Sequence, residues 1–259
     1  MKSAPRSDPP ARVSDPGKPL HPIRAIGRLT GIALATFAGA THRSLGGSRR
    51  RILRRWAHRV TALAGVRLTV TGRPPALPAF LVANHLSYLD IPILATQLDA
   101  VFIAKSDVRR WPLLGPIIAR MDTIFVDRNR ARDLLRVQTE IEHAWDRGDS
   151  IVLFAEGTSS RGDRILPLQP SLLEIPARRR WPVTPVTLTY RAWRAHETVC
   201  WWGEMTFLDH LYRLLTLPAI HAHVVFGEPL PPMPDRKDLA RQLHARLTAQ
   251  FDPIPQPPN

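Results

Sequence analysis

A single cysteine, Cys200, is all the thiol chemistry in the chain. Its solitude rules out an internal disulfide and any multi-cysteine zinc site, so nothing here requires an oxidising compartment. Cys200 lies in the apolar run Val199, Cys200, Trp201, Trp202, which reads as core packing rather than a nucleophile's setting. Long hydrophobic runs are missing too. The longest uncharged apolar stretch, Leu29 to Thr41, would rise about 20 Å as a helix, short of the roughly 30 Å hydrocarbon core of a bilayer. No simple spanning helix is expected. Residues 1–20 hold proline and charge where a secretory signal needs an apolar centre. Glycine-rich phosphate loops are absent, and so is a G-x-S-x-G elbow, because Gly157 to Gly162 reads GTSSRG; a serine-hydrolase mechanism has no motif.

Lysine is scarce, occurring only at Lys2, Lys18, Lys105 and Lys237, yet the net charge is +14, so arginine carries it. With abundant alanine and proline this is the usage of a GC-rich bacterial genome, which inflates basicity by itself. The remaining excess points to an anionic partner: nucleic acid, anionic lipid or a phosphorylated substrate. A nucleic-acid binder would interleave stacking aromatics with basic residues on a sheet face. Most of the seven tryptophans sit instead in apolar or turn contexts, so nucleic acid is not an expected partner.

What is present is 259 residues at 44% hydrophobic content, enough for one core. The proline-rich polar ends, residues 1–22 and 253–259, read as tails around a domain spanning 65–252. Two N-terminal helices are expected over 23–42 and 49–64. The second sets Ile52, Trp56, Val60 and Leu63 on one stripe, with Arg49, Arg50, Arg51, Arg54, Arg55 and Arg59 around it. That pattern suits an interfacial helix whose apolar stripe dips into an anionic lipid surface. After Gly65, short β-rich runs at 66–71, 80–83, 101–104, 124–126, 151–154, 183–189 and 221–226 alternate with helical stretches, clearest over 131–147. The fold class is therefore α/β, a mostly parallel sheet flanked by helices and preceded by a two-helix membrane-associating motif. In such sheets reactive groups gather beyond the carboxyl ends of the strands.

Three segments meet that condition. FLVANHLSYLD, from Phe80 to Asp90, puts His85 at a strand's end with Asp90 about a helical turn further on. A carboxylate on one ring nitrogen fixes the tautomer and leaves the other nitrogen free to take a proton from an alcohol, so His85 is a candidate base and Asp90 its orienter. MDTIFVDR places Arg128 after the strand at 124–126, and FAEGTSSR places Glu156, Gly157 and Thr158 after the strand at 151–154. Arg128 offers a guanidinium fork for phosphate, Gly157 and Thr158 offer further donors, and Glu156 would order the arginine or a substrate hydroxyl.

These blocks resemble the glycerolipid acyltransferases of the 1-acylglycerol-3-phosphate acyltransferase type. The family's N-H-x-x-x-x-D block is matched by Asn84, His85 and Asp90, its G-x-I-F-[VI]-D-R block by Ile124 to Arg128, and F-P-E-G-T by Phe154, Glu156, Gly157 and Thr158. Val183, Thr184, Pro185 and Val186 look like its fourth, apolar block, and the likeness extends over about residues 65–230. Ala155 replaces the usual proline, and Asp122 stands where a glycine opens the second block, adding negative charge by the expected phosphate site.

The resemblance implies that His85 deprotonates an acceptor hydroxyl, which attacks the thioester of acyl-CoA or acyl carrier protein with no covalent acyl-enzyme. Asp90 positions His85, while Arg128, Glu156, Gly157 and Thr158 hold the acceptor's phosphate and glycerol. No metal or cofactor is implied. The acceptor it favours is lysophosphatidate, giving phosphatidic acid, with lyso-ornithine lipid as the alternative. The setting is the cytoplasmic face of a bacterial inner membrane, with peripheral or monotopic attachment.

Overall fold

The computed structural model of the protein describes residues 22–44, 46, 48–106, 123–126 and 131–256. Helices α1 (Pro22–Ser44) and α2 (Arg49–Leu63) form a hairpin ahead of the sheet. The strands are β1 (Val66–Thr71), β2 (Phe80–Ala83), β3 (Ala100–Lys105), β4 (Ile124–Val126), β5 (Ser150–Phe154), β6 (Val183–Arg191) and β7 (Ile220–Phe226). Between and after them come α3 (Asp90–Gln97), α4 (Ala131–Asp146), α5 (Glu174–Arg179), α6 (Ala195–Thr198), α7 (Phe207–Thr216) and α8 (Arg236–Gln250). Among the described residues the strands form one seven-stranded sheet in the order β1-β7-β6-β2-β5-β3-β4.

The central strands β2 and β5 are buried along their whole length, as their unbroken apolar runs require of strands covered on both faces. β1 alternates, as an edge strand with one wet face should. All neighbours pair in parallel except β6 and β7, where Val186 faces Phe226 and Arg191 faces His221. This reversal departs from a simple alternating pattern and has a topological result. β7 starts beside the end of β6, so residues 192–219 need not cross back and stay at the carboxyl edge of β2, β5 and β6.

The α2 stripe is the main correction to the sequence reading. Ile52, Trp56 and Val60 are buried, and Trp56 donates its indole N–H to Thr36 Oγ1 of α1 at 3.0 Å. α2 packs on α3 and α1, so its apolar face is core and only its arginine face meets solvent. At its start Arg50 donates to buried Asp149 at 3.0 Å, near the amino end of β5, and its last turn leads through Gly65 into β1. α2 thus crosses the sheet towards the carboxyl edge of β2, and α1 runs antiparallel to it.

α1 is amphipathic in the unexpected sense. Two of its arginines turn inward: Arg24 donates to Thr216 O, and Arg28 to the carbonyls of Leu215, Leu217 and Pro218, satisfying the carboxyl end of α7. Its apolar residues Ile23, Ile26, Leu29, Leu34 and Phe37 face outward, and no described side chain exposed between Ile23 and Thr41 is charged. No helix among the described residues is long and apolar enough to cross a membrane. The expected C-terminal tail is pinned at its start, since Ile254 is buried and its N–H donates to Gly162 O at 2.8 Å.

Candidate active site

β2 hydrogen-bonds β5 on one side and β6 on the other, with Ala83 level with Phe154 and with Val186. Asn84 prolongs the second pairing by one residue with its side chain. Its amide donates to Leu188 O at 3.0 Å while its Oδ1 accepts from Leu188 N at 2.7 Å. The first residue of the N-H-x-x-x-x-D block therefore splices the chain to β6 and fixes where His85 begins.

The segment after His85 wraps around Asp90. One carboxylate oxygen, Oδ2, accepts from His85 Nδ1 at 2.7 Å, Leu86 N at 2.8 Å and Ser87 N at 3.0 Å. The other, Oδ1, accepts from the Tyr190 hydroxyl at 2.6 Å. Asp90 is fully buried, and His85 keeps 20% of its side chain exposed. The imidazole lies against the Phe154 ring, centroids 4.2 Å apart and planes 22° from parallel. Since Asp90 accepts at Nδ1, that nitrogen carries the proton and Nε2 presents its lone pair. A base with fixed tautomer, fixed ring plane and an accessible edge is what proton removal from an alcohol needs.

Glu156, Gly157 and Thr158 follow β5 at the same edge. Glu156 was expected to order Arg128 or a substrate hydroxyl; it is buried, and its oxygens accept from His85 N at 3.0 Å and Leu166 N at 3.1 Å. It braces the His85 turn against the 160s loop. Burial pushes its carboxyl up to about 8, against the pull of those two amides and helped by the charge on Asp90. Gly157 takes φ +83° in the tight turn, and Thr158 is exposed. Ser160 N donates to His85 O at 2.9 Å, so the residues just after the third block also hold the first block's backbone.

The connection between β6 and β7 closes the other flank. Trp201 N donates to Leu86 O at 2.8 Å, and Ser159 Oγ donates to Trp201 O. The Tyr88 hydroxyl meets His210 Nδ1 at 2.9 Å, while His210 Nε2 lies 2.9 Å from Cys200 O. A carbonyl can only accept, so His210 donates at Nε2 and accepts from Tyr88; burial holds its pKa down to about 4. Cys200 is buried, its thiol pushed up by burial and by Asp90, in keeping with packing rather than nucleophilic use.

The structure thus brings His85, Asp90, Glu156, Gly157 and Thr158 to one edge. β4 ends at that edge, but Arg128 and Asp122 lie outside the described residues. Tyr190 was not anticipated; the signal was a phenol inside the otherwise aliphatic and threonine-rich strand VTPVTLTYR. Among the described residues no three His, Cys, Asp or Glu side chains cluster as metal ligands.

The chain is similar to known proteins. The family model described as Acyltransferase matches residues 67–189. The lyso-ornithine lipid O-acyltransferase of Brucella abortus is 35% identical over 77% of this chain and 82% of its own length. The Pseudomonas aeruginosa protein of the same name is 30% identical over 86% of this chain and 89% of its own. The 1-acyl-sn-glycerol-3-phosphate acyltransferase of Neisseria gonorrhoeae is 32% identical over 46% of this chain and 48% of its own length. Among solved structures, the 1-acyl-sn-glycerophosphate acyltransferase PlsC of Thermotoga maritima shares the fold at a TM-score of 0.62 and 20% identity, covering 87% of this chain and 95% of that one.

Proposed function

The chain belongs to the glycerolipid acyltransferase family and is an acyltransferase, and from that premise we propose that it esterifies the free hydroxyl of a lyso-ornithine lipid at a membrane surface, using a thioester donor. The His85–Asp90 pair carries the reading, standing at the carboxyl edge with Nε2 as the basic atom. His85 takes the hydroxyl proton as the alcohol oxygen attacks the thioester carbonyl. The C–S bond then breaks, and the imidazolium returns its proton to the departing thiolate of coenzyme A or carrier protein. Asp90 stabilises the imidazolium between the two transfers. No metal is called for, because a thioester is already activated and the alcohol needs only a base.

For the acceptor, the two relatives described above that bear the lyso-ornithine name match by sequence along most of their length, while the Neisseria gonorrhoeae protein named for glycerol phosphate matches by sequence over about half. The motifs favour lysophosphatidate through Arg128, which lies outside the described residues, and the Glu156-Gly157-Thr158 turn. Glu156 is committed to backbone amides and the Gly157 N–H donates to Phe154 O at 3.2 Å within the turn, which leaves the exposed Thr158 hydroxyl as the part nearest a headgroup. Lysophosphatidate remains the second reading. Equal amounts of the two acceptors, given to purified protein with one acyl donor, decide the matter. Preferential acylation of lyso-ornithine lipid is expected, and a preference for lysophosphatidate would overturn this acceptor.

The membrane setting rests on the outward face of α1. The amino half of α1 is bolted to the end of α7, which leads into β7 at the carboxyl edge, so Ile23, Ile26 and Leu29 share the edge of His85. Leu208 and Tyr212 of α7 add to that exposed apolar surface. Arg51, Arg54, Arg55 and Arg59 on the outer face of α2 suit anionic headgroups beside it.

A further inference from the structure

We propose that Tyr190 is a positioning residue of the acyl transfer, whose phenol holds the Asp90 carboxylate in the orientation and charge state that His85 uses. The inference rests on His85 being the base. Asp90 is fully buried, and a buried carboxylate is tolerated only when both oxygens are hydrogen-bonded. Oδ2 receives three donors from its own chain segment, all between His85 and Ser87. Oδ1 receives the Tyr190 hydroxyl at 2.6 Å, from a strand a hundred residues away. Backbone amides can hold one oxygen; it takes the second point, on the other oxygen, to stop the carboxylate rotating away from Nδ1.

Packing alone does not explain the residue. Tyr190 is fully buried, and a phenylalanine would fill the same space without a hydroxyl to satisfy. Its phenol stays a donor throughout the working pH range, because burial and the neighbouring Asp90 charge push its pKa well up. The other titratable groups around Asp90 are Cys200, from the connection after β6, and Glu156, from the end of β5. Cys200 stays a thiol. Burial pushes the Glu156 carboxyl up to about 8, so it bears on the alkaline side of the profile rather than on its acid limb.

The sign of the effect follows. A phenol sharing the carboxylate's charge weakens its hold on the imidazolium, so removing it strengthens that hold and moves the acid limb of the rate profile upward. In Tyr190→Phe the acid limb of the kcat/KM profile, followed between about pH 5 and 9, should move about half to one unit upward. The plateau kcat should fall about 3- to 30-fold as the carboxylate loses its second anchor, with the acyl-donor KM unchanged. Replacing Tyr190 by 3-fluorotyrosine, a stronger donor of nearly the same size, should move the limb the other way. An unmoved limb in both variants, whatever the loss of Tm, would overturn the proposal. If Tyr190→Phe fails to fold, the fluorinated variant decides alone. His85→Ala separates the premise: full activity there removes the base itself, whereas a dead His85→Ala with an unmoved Tyr190 limb sinks only the positioning role.

Discussion

Asp90 accepts four hydrogen bonds and His85 is held by three elements at once, so changes here should separate chemistry from stability. His85→Ala should abolish acyl transfer, a loss of about 10² to 10⁴ in rate, while near-wild-type thermal melting reports an intact fold; thiol release at the wild-type rate with acceptor present would refute the mechanism. Glu156 makes a different prediction. Folding lifts its carboxyl from the usual 4.5 to about 8, so between those values the folded protein holds a proton that the unfolded chain has lost. Its contribution is present below about 4.5 and lost as pH rises through about 8. Urea midpoints of the wild type should therefore fall between about pH 5 and 8 by more than those of Glu156→Gln. The sequence exposed His85 and Asp90 because their spacing is local. It could not join Tyr190 to Asp90, which are a hundred residues apart and meet only because β6 lies beside β2, nor show that Glu156 serves the backbone, since a motif records a residue type and not which groups its oxygens meet.

At the level of helices and strands, a hydrophobic stripe announces that something covers it without saying what. The stripe of α2 is covered by α1 and α3, whereas the outer residues of α1 are uncovered, and only the fold distinguishes the two cases. The positions of the central strands were legible because β2 and β5, buried on both faces, read as short, almost wholly apolar runs, and β6 as a β-branched one. The reversed direction of β7 was not, since it depends on how 192–219 turns back, and α7 and α8 were not singled out. If the outer faces of α1 and α7 seat the protein on lipid, Ile26→Glu combined with Leu208→Glu should weaken binding to anionic vesicles in co-sedimentation by about tenfold per residue. Glutamines at Arg51, Arg54 and Arg55 should weaken it by about 1 kcal/mol per charge at low salt and much less at high salt. Unchanged binding in both sets would remove the membrane reading of this edge.

For the molecule as a whole, the hairpin of α1 and α2 is not a detachable anchor. Leu53, Trp56, Ala57 and Val60 are part of the main core, so deleting residues 1–64 should yield an aggregating chain rather than a soluble enzyme, and Trp56→Ala should cost about 3–5 kcal/mol in urea unfolding. A monomeric, active truncation would show the reverse. The same hairpin precedes every strand of the sheet, while β1, the strand it leads into, pairs with β7, the last of the seven. On a ribosome the two helices emerge before the sheet, and among the described residues β1 has no strand to pair with until residues 220–226 have been made. Synthesis therefore keeps the sheet open at its β1 edge until late, and presents the outer face of α1 while the edge that carries His85 is still unassembled. If that face seats the protein on lipid, the order of translation lets attachment precede the completed site.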